Sequence, residues 1–264
     1  MRLVPPLAAA VLAVAAVFAS APAAAAAPAA THYVALGDSY SSGVGTGSYD
    51  PSSGNCKRSS HAYPALWAAS RAPASFAFVA CSGARTGDVL ANQVGALSAS
   101  TTLVSISIGG NDAGFVDVIT TCTLGTDQDC VNRTNTAKSY AQNTLPALLD
   151  DVYSTIRGRA PSAKVVVLGY PRMYQVPGSC AVGMSNTKRS AINSSADVLA
   201  QVVAQRAAAR SFTFQDVRTA FTGHEICSPS WWLNSLSWPV EESYHPNRAG
   251  QANGYLPLFA AAAG

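Results

Sequence analysis

The chain has 264 residues, of which 48% are apolar and only 12% charged, so it can bury a sizeable core and lacks the composition of a disordered protein. Its net charge is +3, and basic residues cluster no further than the pairs Lys57-Arg58 and Lys188-Arg189, which argues against a nucleic-acid surface. The length suits one large domain.

Residues 1–30 read as a secretory signal peptide. Arg2 supplies a minimal positive start, residues 7–18 an apolar stretch, and residues 20–30 an Ala/Pro-rich segment with several A-x-A sites. A membrane anchor is the alternative, but the apolar run falls short of the roughly 20 residues that span a bilayer, and Pro22 and Pro28 follow it. Residues 31–264 then form the exported domain. Export makes the cysteines readable. Cys56, Cys81, Cys122, Cys130, Cys180 and Cys227 are even in number, as full pairing requires. Sequential pairing (Cys56–Cys81, Cys122–Cys130, Cys180–Cys227) is the simplest arrangement. A zinc site is the competing use, although the sequence has neither C-x-x-C nor H-E-x-x-H.

In chain order, the pattern predicts a strand over 32–36, a Gly/Ser-rich surface loop over 43–60 and a helix over 62–70. A strand over 76–80, a helix over 88–97 and a strand over 103–108 follow. Residues 121–135 read as a second disulfide-tied loop, and 139–157 as one long helix. A strand over 164–168, a helix over 186–209, a strand over 212–217 and a last helix over 248–262, broken or kinked at Pro257, complete the series. Strands alternating with helices imply an α/β sandwich around a five-stranded, mostly parallel sheet. Val165 to Leu168 is apolar at every position, as in a strand buried on both faces. Ligand sites in such sheets lie at the carboxyl ends of the strands.

Three motifs fall at those ends. Gly37-Asp38-Ser39 follows the first strand and presents a hydroxyl that needs a base to become a nucleophile. Cys81-Ser82-Gly83 follows the second. Gly109-Gly110-Asn111-Asp112 follows the third, with glycines that let backbone approach a ligand and an amide that donates hydrogen bonds. Taken singly, Ser39 also fits a helix cap, Gly83 a turn, and Asn111 or Asp112 a cap. A fourth motif, Glu242-Ser243-Tyr244-His245-Pro246-Asn247, precedes the last helix. Of the four histidines, His32, His61 and His224 sit where structural roles are expected, whereas Pro246 restricts the backbone beside His245.

The ordered set GDS, Gly, G-x-N-D and His-Pro resembles the SGNH (GDSL) hydrolase family over nearly the whole exported chain. GDSYSSGVG and SYHPN are most similar to secreted actinomycete lipases and phospholipases A. The resemblance implies a flavodoxin-like three-layer α/β/α sandwich and an ester hydrolase that needs no metal or organic cofactor. It makes Ser39 the nucleophile and His245 the general base. The Ser39 N–H, the Gly83 N–H and the Asn111 side chain become the oxyanion hole. Glu242 departs from the family's D-x-x-H. Either its longer side chain orients His245, or a backbone carbonyl of Glu242 or Ser243 does, leaving a dyad. Ser41 stands where a G-x-S-x-G elbow needs its last glycine. The run from Trp231 to Trp238 is expected to line an acyl pocket or to touch a lipid surface, with packing around Cys227 as the alternative. The implied partner is a lipid or small-molecule ester, and a monomer is the default state. A phospholipase A, an acyltransferase, a carbohydrate O-acetyl esterase and a non-enzymatic binding protein stay open as alternatives.

Overall fold

The structure is a computed structural model that describes residues 1–3, 10, 30–178, 180 and 183–264. Most of the expected signal peptide therefore lies outside the described residues. Five strands are present among them: β1 (His32–Ala35), β2 (Ser75–Phe78), β3 (Leu103–Ile106), β4 (Lys164–Leu168) and β5 (Thr213–Gln215). All neighbours pair in parallel, in the order β2-β1-β3-β4-β5. That is the flavodoxin-like order, whose direction reverses between β1 and β3 and opens a crevice beyond their carboxyl ends.

The helices are α1 (Ser39–Ser42), α2 (Tyr63–Arg71), α3 (Thr86–Asn92), α4 (Phe115–Leu124), α5 (Asp127–Asn143), α6 (Leu145–Arg159), α7 (Asn186–Ala209), α8 (Val217–Ala220) and α9 (Leu256–Ala263). Helices α2 and α9 cover one face of the sheet, and α3, α6 and α7 the other, with α5 and α4 stacked beyond α7. Leu145, Leu149, Val152 and Ile156 recur at helical spacing along α6 and are fully buried, which fixes its inward stripe. On the opposite face Tyr33, Trp67 and Phe259 make mutual ring contacts with centroids 5.2–5.5 Å apart.

Four expectations are corrected. Residues 121–135 are not a loop: α4 runs to Leu124, and α5 begins at Asp127 under a reciprocal cap between Thr126 and Asp129. The long helix over 139–157 is two helices, because Pro146 cannot donate into the ladder and α6 starts afresh after Thr144. Pro257 does not kink the last helix either. It sits in the first turn of α9, where a missing N–H is harmless, and a wide π-type turn over Gly250–Tyr255 precedes it. The loop after α1 is only partly a surface loop, since residues 43–46 are buried.

The disulfides are Cys56–Cys81, Cys122–Cys130 and Cys180–Cys227, and no cysteine is free. With every cysteine in a disulfide, the zinc alternative falls. Cys56–Cys81 joins the loop after α1 to the turn after β2, and Cys122–Cys130 joins α4 to α5.

Candidate active site

Ser39 is the first residue of α1, directly beyond β1. The chain turns there because Gly37 adopts φ +125° and lies against β3, where a Cβ would come within 2.6 Å of the Ser107 carbonyl. The buried side chain of Gln93 grips the same peptide, accepting from the Gly37 N–H and donating to its carbonyl at 2.8 and 2.9 Å. Asp38 caps α1 by accepting from the Tyr40 N–H at 3.0 Å.

Ser39 and His245 come together. Ser39 Oγ lies 2.8 Å from His245 Nε2. The other ring nitrogen, Nδ1, lies 2.9 Å from the Ser243 carbonyl. A carbonyl only accepts, so Nδ1 carries the proton and Nε2 is free to accept from the serine hydroxyl. Burial disfavours the imidazolium and lowers the His245 pKa from 6.5 to about 4, against the raising effect of the Ser243 carbonyl. The ring is thus a neutral acceptor near pH 7. Glu242 takes no part in this pair. Its carboxylate accepts from the Tyr49 hydroxyl at 2.7 Å.

The loops carrying the two residues are fastened to one another. Asn234 donates its side-chain N–H groups to the carbonyls of Gly45 and Glu242 at 2.9 and 3.2 Å. Its backbone N–H donates to the His245 carbonyl, and its own carbonyl accepts from the Tyr244 N–H. Tyr40 donates its hydroxyl to the Tyr244 carbonyl at 2.8 Å. At Gly45 (φ +94°) a Cβ would stand 2.9 Å from the His245 Cβ, so only glycine allows this approach.

Asn111 follows β3 and lines the same cavity as Ser39. It spends one amide hydrogen on the Ala84 carbonyl, at 3.0 Å, which leaves the second for a ligand. Gly83 lies in an exposed turn after β2 at φ +77°, with open space where a side chain would be. Neither its N–H nor that of Ser39 donates to a protein acceptor among the described residues. Asp112 is a cap: it accepts from the Thr86 N–H and hydroxyl at the start of α3.

Sequence reasoning missed Tyr170, beyond β4. Its hydroxyl accepts from the Gly110 N–H at 3.2 Å and donates to Asp38 Oδ2. One buried hydroxyl thus links the loop of Asn111 to the loop of Ser39. Desolvation raises the pKa of Asp38 from 3.8 to about 7, against the lowering hydrogen bonds from Tyr170 and Tyr40. The signal was faint: a Tyr-Pro pair just after a buried strand.

The cavity beside Ser39 has a volume of about 690 Å³, including the part open to solvent. Its apolar wall comes from Phe115, Val118, Ala137, Ala141, Ile192 and Leu199, on α4, α5 and α7. The run from Trp231 to Trp238, expected to line an acyl pocket, to touch a lipid surface or to pack around Cys227, contributes no residue to this cavity. Trp232 stacks face to face on His224 at 3.6 Å, and Trp231 and Leu236 line a separate groove beside Cys180–Cys227. Of the other histidines, His32 bonds Ser75 and His224 bonds the Ser230 carbonyl.

A family model described as the GDSL-like lipase/acylhydrolase family matches residues 35–252. The chain belongs to this family. This GDSL chain is 61% identical over 235 residues to a protein named Lipase 1 from Streptomyces coelicolor, covering 89% of this chain and 87% of that one. Among solved structures it is similar to an extracellular lipase from Streptomyces rimosus, at 60% identity and TM-score 0.87, covering 88% of this chain and 100% of the other. A phospholipase A1 from Streptomyces albidoflavus matches at 58% identity and TM-score 0.87, over 89% of this chain and 100% of the other. The GDSL chain is a carboxylic ester hydrolase.

Proposed function

We propose that this chain is a secreted lipase-type esterase that works as a monomer through an acyl-enzyme on Ser39. As Ser39 Oγ bonds to the ester carbonyl carbon, its proton passes to His245 Nε2. The carbonyl oxygen becomes an oxyanion held by the Ser39 N–H, the Gly83 N–H and the Asn111 amide. Collapse breaks the bond to the alcohol oxygen, which takes the proton back from Nε2. Water then repeats the sequence on the acyl-serine, and the acid leaves. Ser243, through its carbonyl, keeps the imidazole in the required tautomer, so the unit is a Ser–His dyad. The six paired cysteines and the likeness to an extracellular lipase support secretion.

The observation that carries this reading is the 2.8 Å contact between Ser39 Oγ and His245 Nε2 at the mouth of an apolar cavity. That cavity suits an acyl chain and disfavours a carbohydrate O-acetyl esterase, whose acyl group is small. The likeness to a phospholipase A1 supports a second reading, in which diacyl phospholipids are among the substrates.

Hydrolysis of a p-nitrophenyl ester series by the purified protein, with Ser39→Ala alongside, tests the proposal. Activity that rises with chain length and disappears in the variant is the expected result. Activity confined to acetate would overturn the lipase reading. Release of fatty acid from phosphatidylcholine by the wild type alone would establish the phospholipid activity.

A further inference from the structure

The segment 226–240 contains no charged residue. It nevertheless exposes Trp231 (53%), Leu236 (68%), Trp238 (90%) and Val240 (57%) to solvent. Large apolar side chains grouped this way on one loop call for a partner. The two acidic residues that follow are both tied back toward the protein, Glu241 to Lys57 and Glu242 to Tyr49. The exposed tips are therefore apolar and indole, bordered by two carboxylates that are held by Lys57 and by the Tyr49 hydroxyl.

The position of this loop matters as much as its chemistry. Leu233 pairs with Pro246, and Asn234 exchanges backbone hydrogen bonds with Tyr244 and His245. The loop is thus the outer limb of a ribbon whose inner limb holds the catalytic histidine. Val116, next in sequence to the lining residue Phe115, is also exposed (66%).

We infer that the 231–240 loop is the surface by which the enzyme docks on an uncharged or zwitterionic lipid interface, bringing the Ser39–His245 pair to the lipid. This rests on the esterase reading above and extends it to where the substrate is met. Tryptophan suits such a boundary because its ring is apolar and its N–H finds polar headgroups. With no charged residue on the segment, attraction does not depend on anionic lipid and is not weakened by salt. Docking and catalysis are separate here, since none of Trp231, Leu236, Trp238 and Val240 lines the cavity beside Ser39.

The test uses vesicles of dialkyl-ether phosphatidylcholine, which has no ester to cleave. Of the four tryptophans, Trp67 is buried and Trp232 is packed on His224, so fluorescence changes report Trp231 and Trp238. Expected are a blue shift on adding vesicles, quenching by bromine placed in the lipid chains, and no loss of either at about 1 M salt. Leu236→Ser/Trp238→Ser should weaken binding by sedimentation about tenfold or more. The same variant should lose emulsion hydrolysis in proportion and keep its rate on dissolved p-nitrophenyl butyrate. Leu236→Ser/Val240→Ser, which leaves both reporter tryptophans in place, provides a second variant. The inference is overturned if the wild type shows no shift, if binding requires anionic lipid, or if both variants hydrolyse emulsions as the wild type does. Loss of the esterase reading would show differently, as absent Ser39-dependent hydrolysis of the dissolved ester whatever the vesicles report.

Discussion

The carboxylate of Glu242 accepts a hydrogen bond from Tyr49 at 2.7 Å, while Nδ1 of the nearby His245 faces the Ser243 carbonyl at 2.9 Å. Tyr49 also accepts from the Gly45 N–H at 3.0 Å, so Glu242 fastens the histidine loop to the loop that follows the nucleophile. Its extra methylene relative to aspartate serves that reach. Glu242→Ala should therefore lower kcat/KM by about tenfold or less, the worth of a positioning hydrogen bond. His245→Ala, which removes the base itself, should cost about 10²–10⁴. Equal losses in the two variants would restore Glu242 as a triad member.

The acid limb of the kcat/KM profile follows from the same ring. Protonated His245 cannot take the serine proton, so activity falls as pH drops through its pKa. Burial pushes that pKa down from 6.5 to about 4, and the ring's part-exposure to water screens some of the push. The limb should lie between those two values, below that of a free imidazole. A profile with its midpoint at or above 6.5 would contradict the geometry of a buried, neutral base.

Much of this arrangement was legible in the sequence, for physical reasons that differ by element. The parallel strands declared themselves because burial on both faces leaves no polar position, as in Val165 to Leu168. Ser39 and Asn111 were legible by their places just after β1 and β3, and His245 by the Pro246 beside it ahead of the last helix. Helix α5 was hidden. Many of its residues (Asp, Asn, Thr and Ser) are weak by propensity, and it is held by packing on α4 and α7. The reciprocal cap of Thr126 and Asp129 was a usable signal for its start. The cavity beside Ser39 could not be read, because its wall is assembled from helices far apart in sequence. Tyr170 was out of reach for a similar reason, since its partners Asp38 and Gly110 belong to two other strand ends.

Tyr170 bridges those two loops through one hydroxyl. Tyr170→Phe keeps the ring against Tyr40, with centroids 5.0 Å apart, and removes only the bridge. Without it the Asn111 donor is less firmly set against the oxyanion, so kcat should fall about tenfold to 10² while KM changes little. The outright loss of one such donor costs about 10²–10³. A rise in KM at unchanged kcat would make Tyr170 a pocket wall and no more.

Asp38 gives a stability signature. Its pKa is raised from 3.8 to about 7, chiefly by desolvation, so the folded protein holds a proton that the unfolded chain releases. Folding is therefore favoured most below 3.8, and this contribution is lost as pH rises toward 7, at no more than about 1.4 kcal/mol per pH unit. His245, with a lowered pKa, works in the opposite sense: its contribution is present above 6.5 and is lost as pH falls toward 4. The difference between wild type and Asp38→Asn isolates the carboxyl. In urea titrations from pH 4 to 7, the variant should gain relative to wild type as pH rises. Parallel curves would show that Asp38 is ionised throughout, held so by Tyr170 and Tyr40.

The cavity wall should set chain-length preference. Ala137 and Ala141 are buried on α5 and, with Ile192 and Leu199 of α7, line the space that an acyl chain would fill. Small side chains at these two positions leave the volume open, and the Cys122–Cys130 bridge ties α5 to α4, which supplies Phe115 and Val118 to the same wall. Ala141→Phe fills part of the cavity from its side and leaves Ser39, His245 and Asn111 untouched. Its overpacking cost is about 1–3 kcal/mol, within what a folded domain tolerates. The expected outcome is little change on p-nitrophenyl acetate and a loss that grows with each added pair of methylenes. Burial of one CH₂ is worth about 0.8 kcal/mol, so excluding four of them should cost well over tenfold in kcat/KM. A uniform loss across the whole series would mean that the chain lies elsewhere, and the groove beside Cys180–Cys227 would become the site to probe.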